Sequence, residues 1–256
     1  MRSGSVSVCP RSSSSIRSSP PRRSSSITRR RRISTRPDAL LFDLDGTLLD
    51  SEVLWQAAQE RTMTYFGQTW TAEDQAASIG GPLERVVAHM STRTGADEGH
   101  VARVLVTEIE HMVATLPAAW MPGARGLLEE AHAAGVPTAI VSNSWRVLLD
   151  LLLANIDFPV DLTVSSSEVE RPKPDPEPYV RACELLGADP VRSIVVEDSP
   201  TGAAAGLAAG SRVLAVGAAV QALDDPRLHH VDTLEGVGLD ALADLFGGDR
   251  VEDPKA

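Results

Sequence analysis

Two kinds of hydrophobic pattern alternate along the chain. Residues 39–42 form a short, unbroken apolar run that gives way to Asp43-Leu-Asp45-Gly46-Thr47. Such a run, bounded by polar residues, predicts a buried strand that ends in a polar loop. From about residue 52 to 116 the apolar positions are spaced as in helices, over 52–66, 83–90 and 101–115, with glycine-rich breaks at Gly80-Gly81 and Gly95. No strand pattern interrupts this stretch, which predicts a compact helical insert.

Beyond Pro122-Gly123 the pattern changes. Helical spacing over 124–134 stops at Gly135, a residue suited to the left-handed position after a helix. Residues 136–141 read as a strand, 145–154 as a helix and 162–164 as a short strand. Residues 176–186 read as a helix ending at Gly187, followed by a β-branched strand over 193–196. A small-residue helix over 201–209 ends at Gly210, and 212–216 form another strand. Strands alternating with helices at this spacing predict an α/β fold: a doubly wound, mostly parallel sheet with a Rossmann-like core. The insert would be a small all-helical cap placed after the first strand. The expected organisation is a disordered tail over 1–36, a catalytic core over 37–50 and 118–247, the cap over 51–117 and a C-terminal tail over 248–256.

Composition sharpens this division. Residues 1–36 hold thirteen serines, ten arginines and no acidic residue, too little apolar surface to offset the entropy of ordering. The stretch has the Ser/Arg-rich, acid-free character of an organellar transit peptide, and its Arg29–Arg32 run could touch RNA or an anionic surface. A bare unstructured extension is the simpler expectation. Removing the tail's ten arginines from the chain's 24 basic residues leaves 14 against 35 acidic groups, a net of −21 for the body. So acidic a body argues against nucleic acid as its ligand. No run of residues approaches the length of a membrane helix. The two cysteines, Cys9 in the tail and Cys183 in an expected helix, indicate no disulfide framework and point to a reducing, cytoplasmic setting, with an organelle as the alternative if the tail is a transit peptide. The His229-His230 pair is expected in a surface turn, and nothing near it completes a metal site. A monomer is expected.

Three polar clusters follow expected strands: Asp43 and Asp45, Ser142-Asn143, and Glu197-Asp198. A parallel sheet brings the carboxyl ends of its strands to one edge, where ligands bind. Lys173, in the proline-rich loop Arg171-Pro-Lys173-Pro, could reach the same edge. The chain has 22 arginines and two lysines, the other being Lys255 in the C-terminal tail, so the body keeps a compact ammonium at one position. Four carboxylates gathered together repel unless a cation lies between them, and an all-oxygen set suits Mg²⁺. Such a cleft suits phosphoryl transfer: one carboxylate attacks phosphorus, another handles the proton, and the ammonium neutralises a phosphoryl oxygen.

These motifs together resemble the haloacid dehalogenase superfamily of phosphatases. The resemblance rests on Phe42-Asp43-Leu-Asp45-Gly-Thr47-Leu, Val141-Ser142-Asn143-Ser144, Arg171-Pro-Lys173-Pro-Asp-Pro and Val196-Glu197-Asp198-Ser199-Pro-Thr-Gly202, in that order, and spans about residues 38–217. It implies Asp43 as nucleophile and Asp45 as general acid and base. It implies Ser142, Asn143 and Lys173 around the phosphate, and a Mg²⁺ site of Asp43, the Asp45 backbone carbonyl and Asp198, with Glu197 close by. It also implies that the substrate is a small phosphate ester and that the helical cap closes over it. An acidic residue at Asp45 separates the chain from the dehalogenase and phosphonate-cleaving branches. The cap resembles that of β-phosphoglucomutase and its phosphatase relatives. The mutases carry a His twelve residues after the nucleophile, where this chain has Trp55, and an Arg soon after a cap glycine, where Arg85 is offset. The expected activity is therefore hydrolysis of a small phosphomonoester such as a sugar phosphate. The alternatives are a phosphomutase and, further off, a binding protein on the same scaffold. Trp55, Arg85 and His89 are the cap residues expected to face the substrate, and Trp145 could do so from the core.

Overall fold

A computed structural model describes residues 36–247, apart from 79–81, 116–118, 155, 157, 159 and 221–222. The expected tails, but for Arg36, and the Gly80-Gly81 break lie outside the described residues. Along the chain, β1 (Leu40–Phe42) and the two-residue β2 (Leu49–Asp50) lead into four helices, α1 (Glu52–Tyr65), α2 (Ala72–Ser78), α3 (Leu83–Thr94) and α4 (Glu98–Thr115). Then come β3 (Ala119–Trp120), α5 (Ala124–Ala133), β4 (Thr138–Ser142), α6 (Arg146–Leu153) and β5 (Leu162–Ser165). The rest is α7 (Glu177–Leu186), β6 (Ile194–Glu197), α8 (Pro200–Ala208), β7 (Arg212–Val216), β8 (Leu228–Val231) and α9 (Leu239–Phe246).

Six strands form one parallel sheet in the order β5-β4-β1-β6-β7-β8. β1 lies inside the sheet, with Leu40 opposite Thr138 on one side and Ile194 on the other. Alternation along the strands sends side chains to two separate cores. Leu40, Phe42, Ile140, Ile194 and Val196 pack with α5, α6 and α9, while Leu41, Ala139, Val141, Val195 and Val213 pack with α7 and α8. Burial on both faces is why the central strands read as unbroken apolar runs. The small residues of α8 let it lie close on the sheet: a methyl group on Gly206 would come within 3.0 Å of Val195 and Val213.

The helical insert begins and ends at a short antiparallel ribbon in which Leu49 faces Trp120 and Asp50 faces Ala119. Three of the helices, α1, α3 and α4, pack together through Leu54, Met63, Val87, Met90, Leu105 and Ile109, continuous with the core on that face of the sheet. Two expectations are corrected. His229 and His230 sit in edge strand β8 rather than a turn, paired to β7, with His229 edge-on to Phe246 at 4.7 Å. α2, which the sequence pattern did not separate, is a distinct helix of the insert. No described helix is long and apolar enough to cross a membrane.

Candidate active site

The first motif is shaped by a tight turn at the carboxyl end of β1. The Asp43 N–H extends the strand by donating to the Val196 carbonyl at 3.0 Å. The chain then doubles back, with the Leu48 and Leu49 N–H groups donating to the Leu44 carbonyl. Gly46 has φ 84°, and a Cβ there would fall 2.3 Å from Asp198 Oδ2. Glycine is thus required twice over, by the backbone and by the approach of Asp198. The Thr47 hydroxyl donates to Asp198 Oδ1 at 3.3 Å, tying this turn to the end of β6.

Glu197 and Asp198 arrive where β6 meets α8. Ser199 caps α8 by accepting the Gly202 N–H at 3.0 Å, and Pro200 occupies the first turn. The Ser199 N–H and hydroxyl both donate to Glu197 Oε2. A Cβ at Gly202 would lie 1.6 Å from Glu197 Oε1, so that glycine makes room for the carboxylate.

Lys173 reaches the same point from its proline-rich loop and is 2% exposed. Its ammonium donates to Asp43 Oδ1 at 2.6 Å, Glu197 Oε1 at 2.6 Å and the Val141 carbonyl at 2.8 Å, which uses all three protons. Tyr179 donates to the same Glu197 oxygen at 2.8 Å, and its ring lies 4.9 Å below the ammonium. The Asn143 amide pairs with the Lys173 backbone in both directions, donating to its carbonyl at 3.2 Å and accepting its N–H at 3.0 Å. Asn143, expected beside the phosphate, lines the cleft and also holds the lysine loop in place.

Asp45 is held separately. Its Oδ1 accepts from the Ser51 hydroxyl at 2.5 Å and the Trp55 indole N–H at 2.7 Å. Its Oδ2 lies 3.3 Å from the Ser142 hydroxyl and 3.2 Å from that of Ser144. Ser51 precedes α1 but makes no side-chain cap, its hydroxyl being spent on Asp45.

Oxygens of Asp43, Glu197 and Asp198 lie within 4.8 Å of one another. Three carboxylates against one ammonium leave an excess of two negative charges in a buried place, which fits a hard divalent cation. Burial holds Asp43 well above the ordinary carboxylate range; Lys173 opposes this, and Glu197 and Asp198 add to it. Burial, and next Glu197, push Asp198 up to about 7. Both follow from burial and from crowded negative charge, which a cation placed among the carboxylates would offset. Lys173 is shifted upwards: burial opposes its charge, but Asp43 and Glu197 outweigh it. Both Glu197 oxygens already accept hydrogen bonds, whereas Asp43 Oδ2 and Asp198 Oδ2 accept none among the described residues.

Above this floor lies a cleft. Asp43, Asp45, Asn143, Ser144, Lys173 and Asp198 line its lower part, and Glu52, Trp55, Gln59, Gln75, Leu83 and Val86 form the cap wall. Of the three cap residues expected to face substrate, only Trp55 lines the cleft. Arg85 is on the exposed side of α3, because that helix turns Leu83 and Val86 inward. His89 lies 2.6 Å from Asp74 Oδ1 and edge-on to Trp70, within a cap network that Arg93 completes through its own bonds to Asp74. Trp145 spans to the cap, its indole donating to Glu84 Oε1 at 2.6 Å. Ser144, Gln59 and Gln75 were not anticipated. Gln59 had a visible signal, a polar residue in the helical stripe Leu54, Ala58, Thr62 and Met63.

The family model for haloacid dehalogenase-like hydrolases matches residues 40–216. Hexitol phosphatase A of Escherichia coli (strain K12) is 35% identical over 201 residues, 77% of this chain and 89% of that protein. CbbY from Rhodobacter sphaeroides, solved in complex with phosphate, superposes with a TM-score of 0.72 at 24% identity, over 80% of this chain and 99% of that one. β-Phosphoglucomutase from Clostridium difficile gives a TM-score of 0.72 at 17% identity, over 83% and 98% of the two chains, and so shares the fold. The chain belongs to the haloacid dehalogenase-like hydrolase family and is an enzyme of its phosphatase branch.

Proposed function

We propose that the protein hydrolyses a small phosphomonoester of the sugar-phosphate kind, with Mg²⁺, through a phosphorylated Asp43. The observation that carries this reading is the arrangement around Asp43. One of its oxygens is pinned by Lys173 at 2.6 Å, the other accepts no hydrogen bond among the described residues, and the side chain lines the cleft. A carboxylate fixed at one end and free at the other is placed to attack phosphorus in line with the departing alcohol.

Asp45 handles the proton. Three of its four partners are hydroxyls, of Ser51, Ser142 and Ser144, which can donate or accept. That set can accommodate Asp45 with its proton, ready for the leaving alcohol, and without it, ready to activate water against the aspartyl phosphate. Lys173 supplies fixed positive charge beside the transferring group. Asn143 and Glu197 position it, Asn143 through its backbone and Glu197 through its ammonium. Ser144 lines the cleft, and Ser142, buried behind it, accepts the Ser144 N–H at 3.0 Å and shapes that loop. Asp43 and Asp198 would hold the cation with the Asp45 carbonyl, and it would supply charge neutralisation for the phosphoryl oxygens.

The experiment is phosphate release from a panel of sugar and alditol phosphates, with Mg²⁺ or EDTA, by the wild-type chain beside Asp43→Asn. Metal-dependent release that drops at least about 1,000-fold in the variant is expected. Conversion of glucose 1-phosphate to its 6-phosphate under a bisphosphate activator, without release, would instead assign a mutase.

A further inference from the structure

The polar groups of the cap wall are nearly all occupied. The Trp55 indole donates to Asp45, Gln75 Oε1 accepts from the Trp70 indole at 2.8 Å, and the Ser78 hydroxyl donates to the Asp74 carbonyl at 2.8 Å. The neighbouring Thr62 hydroxyl is bound to the Ala58 carbonyl at 2.7 Å. Glu52 is exposed to water. Gln59 differs: it is 5% exposed, it lines the cleft, and its Oε1 is buried with no hydrogen-bond partner among the described residues. Glu52, Trp55 and Gln59 follow one another at spacings of three and four on α1, so they share the face that looks onto the cleft. An amide in this position leaves a buried polar atom whose partner must come from the cleft, as a bound water or a hydroxyl of the ligand that displaces it.

We propose that Gln59 is a specificity-determining residue that hydrogen-bonds a hydroxyl group of the substrate's carbon chain. This selects phosphate esters of polyhydroxylated chains over those of plain alkyl or aromatic alcohols, and it rests on the phosphatase reading above. The chemistry of the amide chooses the hydroxyl. A hydroxyl can donate to Oε1; a phosphoryl oxygen, which can only accept, cannot, and an alkyl chain offers no donor. Leu83 and Val86 line the same wall and offer an apolar surface to the C–H side of such a chain. The phosphate end of the ligand is fixed by Asp43 and Lys173, so Gln59 reads the part of the molecule that leaves as alcohol.

The test measures binding and turnover separately. Calorimetry on the full-length Asp43→Asn protein with Mg²⁺ compares sorbitol 6-phosphate with n-hexyl phosphate. The expected preference for the hexitol ester is at least about tenfold, and adding Gln59→Met should erase most of it. Gln59→Leu is the second variant, should the first not fold. An equal preference with and without the glutamine, in either folded variant, would overturn the proposal. Wild-type protein that binds with the expected preference but releases phosphate from neither ester would overturn the phosphatase reading while supporting the assignment of Gln59.

Discussion

The floor of the cleft and its cap wall are built on opposite plans. On the floor the groups that would do chemistry bind one another: Lys173 spends three protons, Asn143 clamps the lysine backbone, and Glu197 is met by Lys173, Tyr179 and Ser199. In the wall the buried Gln59 Oε1 has no partner among the described residues, and apolar Leu83 and Val86 line the same cleft. Interlocked groups cost little reorganisation during reaction, and an open one leaves room for selection by the ligand. The chemistry is thus fixed by the sheet edge, while the choice of substrate is left to a separate layer of helices. The two meet at a pair of indoles, Trp55 reaching down to Asp45 and Trp145 reaching up to Glu84.

The contrast breaks most severely at the lysine. Lys173→Met leaves Asp43 and Glu197 buried without their counter-ion, and should cost about 3–5 kcal/mol of stability. It should also lower kcat at least about 100-fold. Urea denaturation and phosphate release measure the two effects.

A smaller effect is confined to the wall. Asp74 is 4% exposed and held by Arg93 and His89, with Thr71 at its back, which keep its carboxyl well below the ordinary range against the cost of burial. Asp74→Asn should lose about 2–3 kcal/mol, seen as early loss of amide protection in α2 and α3 while the sheet stays protected. Because the folded value is depressed, this stability is complete above the ordinary carboxylate range and is lost as pH falls towards the depressed value. The cap should therefore loosen first in acid.

The floor should respond to pH in the opposite sense when metal-free. The Asp198 carboxyl is raised to about 7, so its contribution to stability is complete below the ordinary carboxylate range and is lost as pH rises through about 7. A cation beside the ionised group reverses that loss. Saturating Mg²⁺ should raise the melting temperature by at least about 2 °C at about pH 8 and by less at about pH 5, as scanning calorimetry would show. An equal shift at both values would place the cation elsewhere.

The mildest change is at the rim. Trp145→Phe removes an exposed bond to Glu84, so KM should rise about two- to threefold with kcat little altered. Steady-state kinetics would show whether the link serves the cap alone.

Much of the floor was legible in the sequence because its signals were redundant. The unbroken run before Asp43 marks a strand buried on both faces, and the solitary lysine of a body whose other fixed cations are arginines marks the ammonium that the structure buries. The cap wall was less legible. Helical spacing shows that a face exists but not where it points: it is compatible with Arg85 and His89 on the cleft, where Leu83 and Val86 stand. β8 has no apolar signature, because Leu-His-His-Val is too polar and its order comes from pairing with β7. The β2–β3 ribbon, two residues a side, is too short to leave any periodicity. α9 did carry a pattern, with Leu239, Leu242 and Phe246 buried at helical spacing.

The most direct test of the account is chemical capture of the nucleophile during turnover. The wild-type chain would be mixed with Mg²⁺ and a sugar phosphate, quenched in acid, reduced with borohydride and mapped by peptide mass spectrometry. Reduction converts an aspartyl phosphate to homoserine. The account predicts homoserine at position 43 and at no other aspartate, and none without substrate. Steady phosphate release with residue 43 unmodified would contradict it.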